Sequence, residues 1–228
     1  MATVTPPSPT DQASRAGHDW TAADLVERFG PIPLWRVRMV PAPGTATEQD
    51  VIDIHDRTDR LCELVDGVLV EKTMGIQESY LALLIGGIIN EFLRASALGI
   101  ALGADGMTKL APGLIRIPDV SFVRWERFPG RVVPSIAFLV SGPDLAVEVL
   151  SPSNTAKEMD RKLKDYFASG VRLVWYVDPV KRTAEVFTAV GQSVVLGEGD
   201  TLDGGDVLPG FALPLARVFE ELGPSPRR

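Results

Sequence analysis

Apolar residues along the 228-residue chain fall into runs whose period changes near residue 100. Before that point helical spacing dominates. Leu25, Val26 and Phe29 recur at helical intervals within residues 20–29, and Gly30-Pro31 ends the pattern. Residues 31–45 hold four prolines and predict an extended, irregular path. Thr47 followed by Asp50 has the spacing of a capping box, with Asp where Glu or Gln is usual, and Val51, Ile54 and His55 then share a helix face to about Asp59. Residues 61–65 and 68–72 flank Asp66-Gly67, a hairpin signal because both turn positions need positive φ. Residues 78–97 predict a long, largely buried helix, with Tyr80, Leu83, Leu84, Ile88 and Phe92 at helical spacing. Gly86-Gly87 inside it costs about 1 kcal/mol per glycine, which predicts close packing against a sheet.

Beyond residue 100 the pattern reads as strands at 100–103, 115–123 and 145–150, a helix at 154–169 and a strand at 173–178. Segments 184–189 and 193–196 then pair around Val190-Gly191-Gln192. No internal repeat is visible. The order predicts an α/β (α+β) fold around one mixed β-sheet flanked by helices. The expected plan is a disordered tail at 1–19, a helical extension at 20–59, one core domain at 60–222 and a short tail at 223–228. The extension's apolar stripes are too few for a core of their own, so it should pack on the main domain.

Composition narrows the chemistry. A single cysteine, Cys62, excludes an internal disulfide and a multi-cysteine zinc site. With only His18 and His55, a metal would have to be held by oxygen ligands, which favours a hard divalent ion. No apolar run is long enough to cross a bilayer, and the first sixteen residues lack a signal peptide's basic start and apolar middle, so a cytoplasmic protein with no membrane partner is expected. The net charge of −7 argues against nucleic acid at first sight. Residues 48–71, however, carry eight acids against two arginines, while 116–131 and 157–172 are each mildly basic, so charge alone does not decide.

Two strands and one helix break their own patterns, which is where function tends to sit. Alternation along 115–123 groups Asp119 with Ile115, Ile117, Ser121 and Val123; alternation along 145–150 groups Glu148 with Ala146 and Leu150. On the following helix, Met159, Leu163, Tyr166 and Phe167 form the inward stripe, and Lys162 lies on its edge. Each inward charge is costly unless paired or bound to metal. A snorkelling lysine or a structural ion pair would account for part of this. All three together are what a metal-dependent phosphodiesterase needs: two carboxylates to clamp a divalent ion and a lysine to stabilise charge at the scissile phosphate.

The linked motifs Pro118-Asp119, Asp144-Leu145-Ala146-Val147-Glu148-Val149-Leu150-Ser151-Pro152-Ser153, Lys162-Leu163…Tyr166…Gly170-Val171 and Trp175-Tyr176-Val177-Asp178-Pro179 resemble those of the Uma-two family of restriction-endonuclease-like proteins. Residues 62–71 match that family's opening hairpin and Leu208-Pro209-Gly210-Phe211 its closing segment, so the resemblance spans about residues 60–220. It implies a restriction-endonuclease-like PD-(D/E)xK core cleaving DNA with Mg²⁺ or Mn²⁺. Asp119 would be the motif aspartate, Glu148 the second acid and the Val149 carbonyl a further metal ligand. The motif lysine is replaced by Leu150, and Lys162 is its substitute in space. Glu63 and Glu78 are candidate auxiliary acids. The alternative is a nuclease-fold protein that binds nucleic acid or a protein partner without cutting; a homodimer stays open. Ser153, Asn154 or Thr155 caps the helix, Trp175 and Tyr176 read as core, His55 as solvated and Cys62 as a small buried hydrophobe.

Overall fold

The computed structural model describes residues 20–223, so the expected tail at 1–19 lies outside the described residues. Its centre is a six-stranded sheet built from β3 (Gly99–Leu102), β6 (Val120–Arg124), β8 (Leu145–Val149), β9 (Leu173–Asp178), β10 (Thr183–Ala189) and β11 (Gln192–Gly197), in the order β11-β10-β9-β8-β6-β3. Only the central pair β8 and β9 runs parallel. The chain returns between them through helix α4 (Ala156–Ala168), the long crossover that parallel neighbours require. Before it come two shorter helices, α1 (Ala22–Phe29) and α2 (Glu48–Thr58), and one longer helix, α3 (Ile76–Ser96).

Alternation along β8 divides the core. Leu145, Val147 and Val149 face a cluster with Leu81, Ile85 and Ile89 of α3, whereas Ala146 faces Met159, Leu163 and Tyr166 of α4. Both faces are covered, which is why β8 is buried along its whole length. Glu148 therefore lies on the α4 side, inside the protein.

The structure departs from the sequence pattern in three places. The expected single sheet is accompanied by a five-stranded one, ordered β2-β1-β5-β4-β7, from β1 (Cys62–Val65), β2 (Val68–Glu71), β4 (Thr108–Ala111), β5 (Leu114–Arg116) and β7 (Leu139–Val140). A small pair, β12 (Thr201–Gly204) and β13 (Leu208–Pro214), leads into the short helix α5 (Leu215–Phe219). Second, residues 115–123 are not one strand. The chain leaves the five-stranded sheet after Arg116 and enters the central sheet at Val120, with Asp119 in the crossing. Residues 115–123 are all buried, so no alternation exists there to be read.

Third, α3 buries Leu81, Ala82, Ile85, Ile89 and Leu93, while Tyr80 and Leu83 are exposed. Apolar residues surround much of this helix, so two neighbouring stripes have helical spacing and only contact with the sheet selects between them. Gly86 does approach that sheet: a Cβ there would stand 3.4 Å from Val120 Cγ2. Gly87 has nothing within 4 Å. Gly87→Ala is accordingly expected to raise stability by about 0.5–1 kcal/mol through helix propensity. Denaturant melts measure it, and a lower midpoint would show that the open space is needed.

The hairpin turn is as expected, with φ of 51° at Asp66 and 71° at Gly67. Leu25 and Phe29 of α1, with Ile32 and Val37, pack on Val65, Val68 and Val70 of this hairpin. At the start of α2, Asp50 Oδ2 accepts from the Thr47 backbone N–H at 2.7 Å, the reciprocal half of a capping box. Val51 then joins Cys62, Leu64, Ile115 and Ile117. Much of the acidic excess at 48–71 is spent on ion pairs: Glu48 with Lys109, Asp66 with Arg28 and Arg161, and Glu71 with Arg38 and Arg60. Several bases in the segments read as mildly basic are likewise engaged, Arg124 and Arg127 by Asp144 and Arg161 by Asp66.

Candidate active site

The crossing between the two sheets places Asp119 beside β8. Its backbone N–H donates to Val147 O at 3.0 Å, and its carboxylate Oδ2 accepts from the Val149 N–H at 2.7 Å. These two bonds bracket Glu148, so the carboxylates of Asp119 and Glu148 are held to one end of β8. Across from them, α4 starts at a capping box in which Thr155 Oγ1 accepts from Glu158 N at 3.1 Å. One turn after Glu158, Lys162 Nζ lies 3.0 Å from Glu148 Oε1 and 3.0 Å from Glu63 Oε1. Glu148 Oε1 also accepts from the Tyr166 hydroxyl at 2.5 Å.

Glu63 comes from β1 and ties the five-stranded sheet to the crossing and to α4. Its Oε1 accepts from the Ile117 N–H at 3.1 Å and its Oε2 from Arg116 at 2.7 Å. Arg116 in turn donates to Asp165 on α4 at 2.6 Å. Both Glu63 oxygens are thus committed to donors, and its part is to anchor Lys162 and Arg116. Glu78 is buried at the start of α3, against Gly75, and does not line the cavity formed by the other acids.

Burial by itself would raise the Glu63 carboxyl, but Lys162 and Arg116 outweigh it and hold it down to about 2. Glu148 goes the other way. Burial raises it, Lys162 only partly offsets that, and the charges of Asp119 and Glu63 push it further up. For Lys162, burial disfavours the ammonium but Glu148 and Glu63 prevail, so its pKa is raised and it stays charged. Burial and then Glu148 keep the Tyr166 hydroxyl protonated, as the donor in their short bond.

These directions set an acid response. Glu63 has a depressed folded pKa, so its stabilisation is present above its ordinary value of 4.5 and is lost as pH falls toward about 2. Glu148 has the opposite sign: its raised pKa means that protonation in mild acid favours the folded state. The thermal-midpoint advantage of wild type over Glu63→Gln should therefore shrink as pH drops from about 5 to about 2. A constant difference across that window would contradict the pairing.

Asp119, Glu148, Val149 and Lys162 line one cavity of about 20 Å³, enough for a single water. Glu148 Oε2 accepts no hydrogen bond within the described residues and is left to that cavity. Asp119 Oδ1 is 2.8 Å from the ammonium of Lys72, the residue after β2. Among the described residues no three His, Cys, Asp or Glu side chains cluster closely enough to form a metal site by themselves. The donor chemistry still fits a hard divalent ion: two anionic carboxylates at one cavity, one with an uncommitted oxygen, and a cation already seated on the other.

The family model described as "Putative restriction endonuclease", Uma2, matches residues 48–216. The chain belongs to the Uma2 family. No curated protein matches at a significant level. Among solved structures, the chain is similar to one described as a putative nuclease belonging to DUF820 from Anabaena variabilis ATCC 29413, with a TM-score of 0.64 and 18% identity over 72% of this chain and 93% of that one. That likeness shows the nuclease-like fold.

The Uma2 match begins at α2, earlier than the expected start near residue 60, and leaves α1 and the following stretch outside. Yet Arg36, from that stretch, lines the same cavity. It is 4% exposed and donates to Glu158 at 3.1 and 2.7 Å, to Glu71 O at 3.0 Å and to Ser153 O at 3.2 Å. Sequence reasoning missed Arg36, Lys72 and Arg116 and read Tyr166 as plain core. Tyr166 stood on the inward stripe with Lys162, one turn apart, which was a usable signal. Lys72 and Arg36 sit outside any periodic run, so nothing local marked them. Cys62 is buried as expected, and burial, followed by the charge of Glu71, pushes its thiol up to about 11, well away from a reactive thiolate.

Proposed function

We propose that this Uma2 protein is a metal-dependent endonuclease that hydrolyses DNA phosphodiester bonds at the Asp119–Glu148–Lys162 cavity. The observation that carries the reading is convergence: an acid from the sheet crossing, an acid from β8 and a lysine from α4 line one small cavity. Asp119 and Glu148, with the Val149 carbonyl, would hold a magnesium or manganese ion, which when bound neutralises charge on the scissile phosphate and makes a water a better nucleophile. Lys162 has three N–H donors and gives two of them to Glu63 and Glu148. The third is available to a phosphate oxygen or to the attacking water. Glu63 and Tyr166 fix this geometry, Glu63 by holding the ammonium and Tyr166 by holding the carboxylate it faces. The lysine is thereby preorganised where charge develops, which is the arrangement that lowers a barrier.

A second reading has one observation in its favour. Asp119 is already neutralised by Lys72, as in a nuclease-fold protein that binds nucleic acid or a protein partner without cutting. Plasmid and single-stranded DNA incubated with the full chain in Mg²⁺, in Mn²⁺ and with a chelator separate the two. Metal-dependent nicking that Asp119→Ala abolishes supports the enzyme; no cleavage of any substrate together with no calorimetric metal binding favours the second reading.

A further inference from the structure

We infer that Lys72 is a built-in counter-cation of the site, seated on Asp119 until a divalent ion displaces it, so that it sets the affinity for that ion. The inference rests on the metal-dependent reading above. Lys72 Nζ lies 2.8 Å from Asp119 Oδ1, 2.8 Å from Ile117 O and 3.1 Å from Ala104 O, and its side chain is 9% exposed. The ammonium donates to the two carbonyls and forms an ion pair with the carboxylate. One carboxylate and two backbone carbonyls are also the ligand types that a hard cation takes. Lys72 thus sits in a cation-binding environment, unlike Lys162, whose partners are two carboxylates and which keeps one donor free.

The position is built rather than incidental. The Lys72 backbone N–H donates to Leu61 O at 2.8 Å, extending the hairpin by one residue and fixing where the side chain begins. Its head then ties the loop at Ala104 to the crossing at Ile117 and Asp119. A divalent ion at Asp119 and Glu148 would face this ammonium across the same small cavity, which Lys72 also lines. A charge within about 4–6 Å shifts the ionisation of a carboxylate by about one to three powers of ten, and like charges disfavour one another. Ion binding and the Lys72–Asp119 pair therefore oppose each other. The flexible four-carbon stem gives the ammonium a way to leave, which a buried arginine fork lacks. Without metal the pair spares Asp119 the cost of an uncompensated buried charge; with metal the same charge is satisfied by the ion.

The test is calorimetric titration of the full chain with MnCl₂ and MgCl₂, comparing wild type with Lys72→Met, Lys72→Gln and Lys72→Arg. Lys72→Gln retains donors for the two carbonyls without the charge, in case the methionine variant does not fold. Both neutral variants are expected to bind Mn²⁺ about 10–100-fold more tightly than wild type. Lys72→Arg should bind Mn²⁺ no more tightly than wild type, and adding Asp119→Asn should abolish the gain. Without metal the neutral variants should melt lower than wild type, and Mn²⁺ should raise their midpoints by more. Unchanged or weaker binding by both neutral variants, with wild type still binding, would overturn the role of Lys72 and leave the enzyme reading standing. Absence of binding by every variant would overturn the metal-dependent reading itself, and this inference with it.

Discussion

Lys162→Ala is expected to lower metal-dependent DNA cleavage about 10²–10³-fold while divalent-ion affinity stays within a few-fold of wild type. An ammonium cannot ligate a cation, so the two readouts divide according to what Lys162 does. On the proposed mechanism its remaining N–H is aimed at developing negative charge, and removing one preorganised donor of this kind has an effect of that size. The substitution also leaves Glu63 and Glu148 buried without the cation between them. A stability loss should accompany it, because breaking a buried pair from one side strands the remaining charges. Activity is therefore measured well below the variant's own melting midpoint, in single turnover, beside calorimetric Mn²⁺ titration. Glu63→Gln supplies the contrast: it loosens the anchor of Lys162 without touching the cavity's free donor, and should cost less activity than Lys162→Ala. Unchanged cleavage by Lys162→Ala would remove the lysine from the chemistry. Loss of ion binding in step with cleavage would make its role one of holding Glu148 in place.

What could be read along the chain was whatever a local pattern carries. Asp66-Gly67 between apolar runs sufficed for the hairpin, because a two-residue turn imposes positive φ on both residues. The same holds for β8 and α4, where strand alternation put Glu148 inward and a helical stripe put Lys162 beside Met159 and Leu163, both as found. Asp119 was singled out for a reason the structure does not share. It is buried because the chain crosses between sheets there, not because it alternates along a strand. The crossing leaves no periodic mark, since every residue from 115 to 123 is enclosed. The polar partners were the least legible part. Lys72 reaches Asp119 across 47 positions and Arg36 reaches Glu158 across 122, and no window on a single segment holds both members of either pair. Charge counting could not decide for the same reason. The acidic and basic segments are separate in sequence, whereas Asp66 with Arg161 and Glu63 with Lys162 join one to the other in the fold.

Arg36→Ala should be the most destabilising substitution in the segment that precedes the Uma2 match. The guanidinium is 4% exposed, and so is the Glu158 carboxylate that it grips through two bonds. Removing it strands a buried acid and frees the Glu71 and Ser153 carbonyls that it also bonds. The cost of breaking a buried pair from one side is about 3–5 kcal/mol. At about 2–4 °C per kcal/mol for a chain of this size, the midpoint should fall by about 10 °C. Glu158 also closes the capping box of α4, one turn before Lys162, so the loss is felt at the helix start that positions the lysine. Thr155 reinforces the same joint by donating from its hydroxyl to Phe29 O at 3.0 Å, at the end of α1. The double replacement Arg36→Met with Glu158→Met removes both charges and keeps comparable volume, so it should recover a large part of the lost stability even though the hydrogen bonds are gone. Scanning calorimetry of Arg36→Ala, beside the four proteins of the Arg36→Met and Glu158→Met cycle, measures this directly. A midpoint for Arg36→Ala within about 2 °C of wild type, less than 1 kcal/mol on this scale, would mean that the segment before α2 does not hold α4 and that Arg36 is not part of the wall of the site.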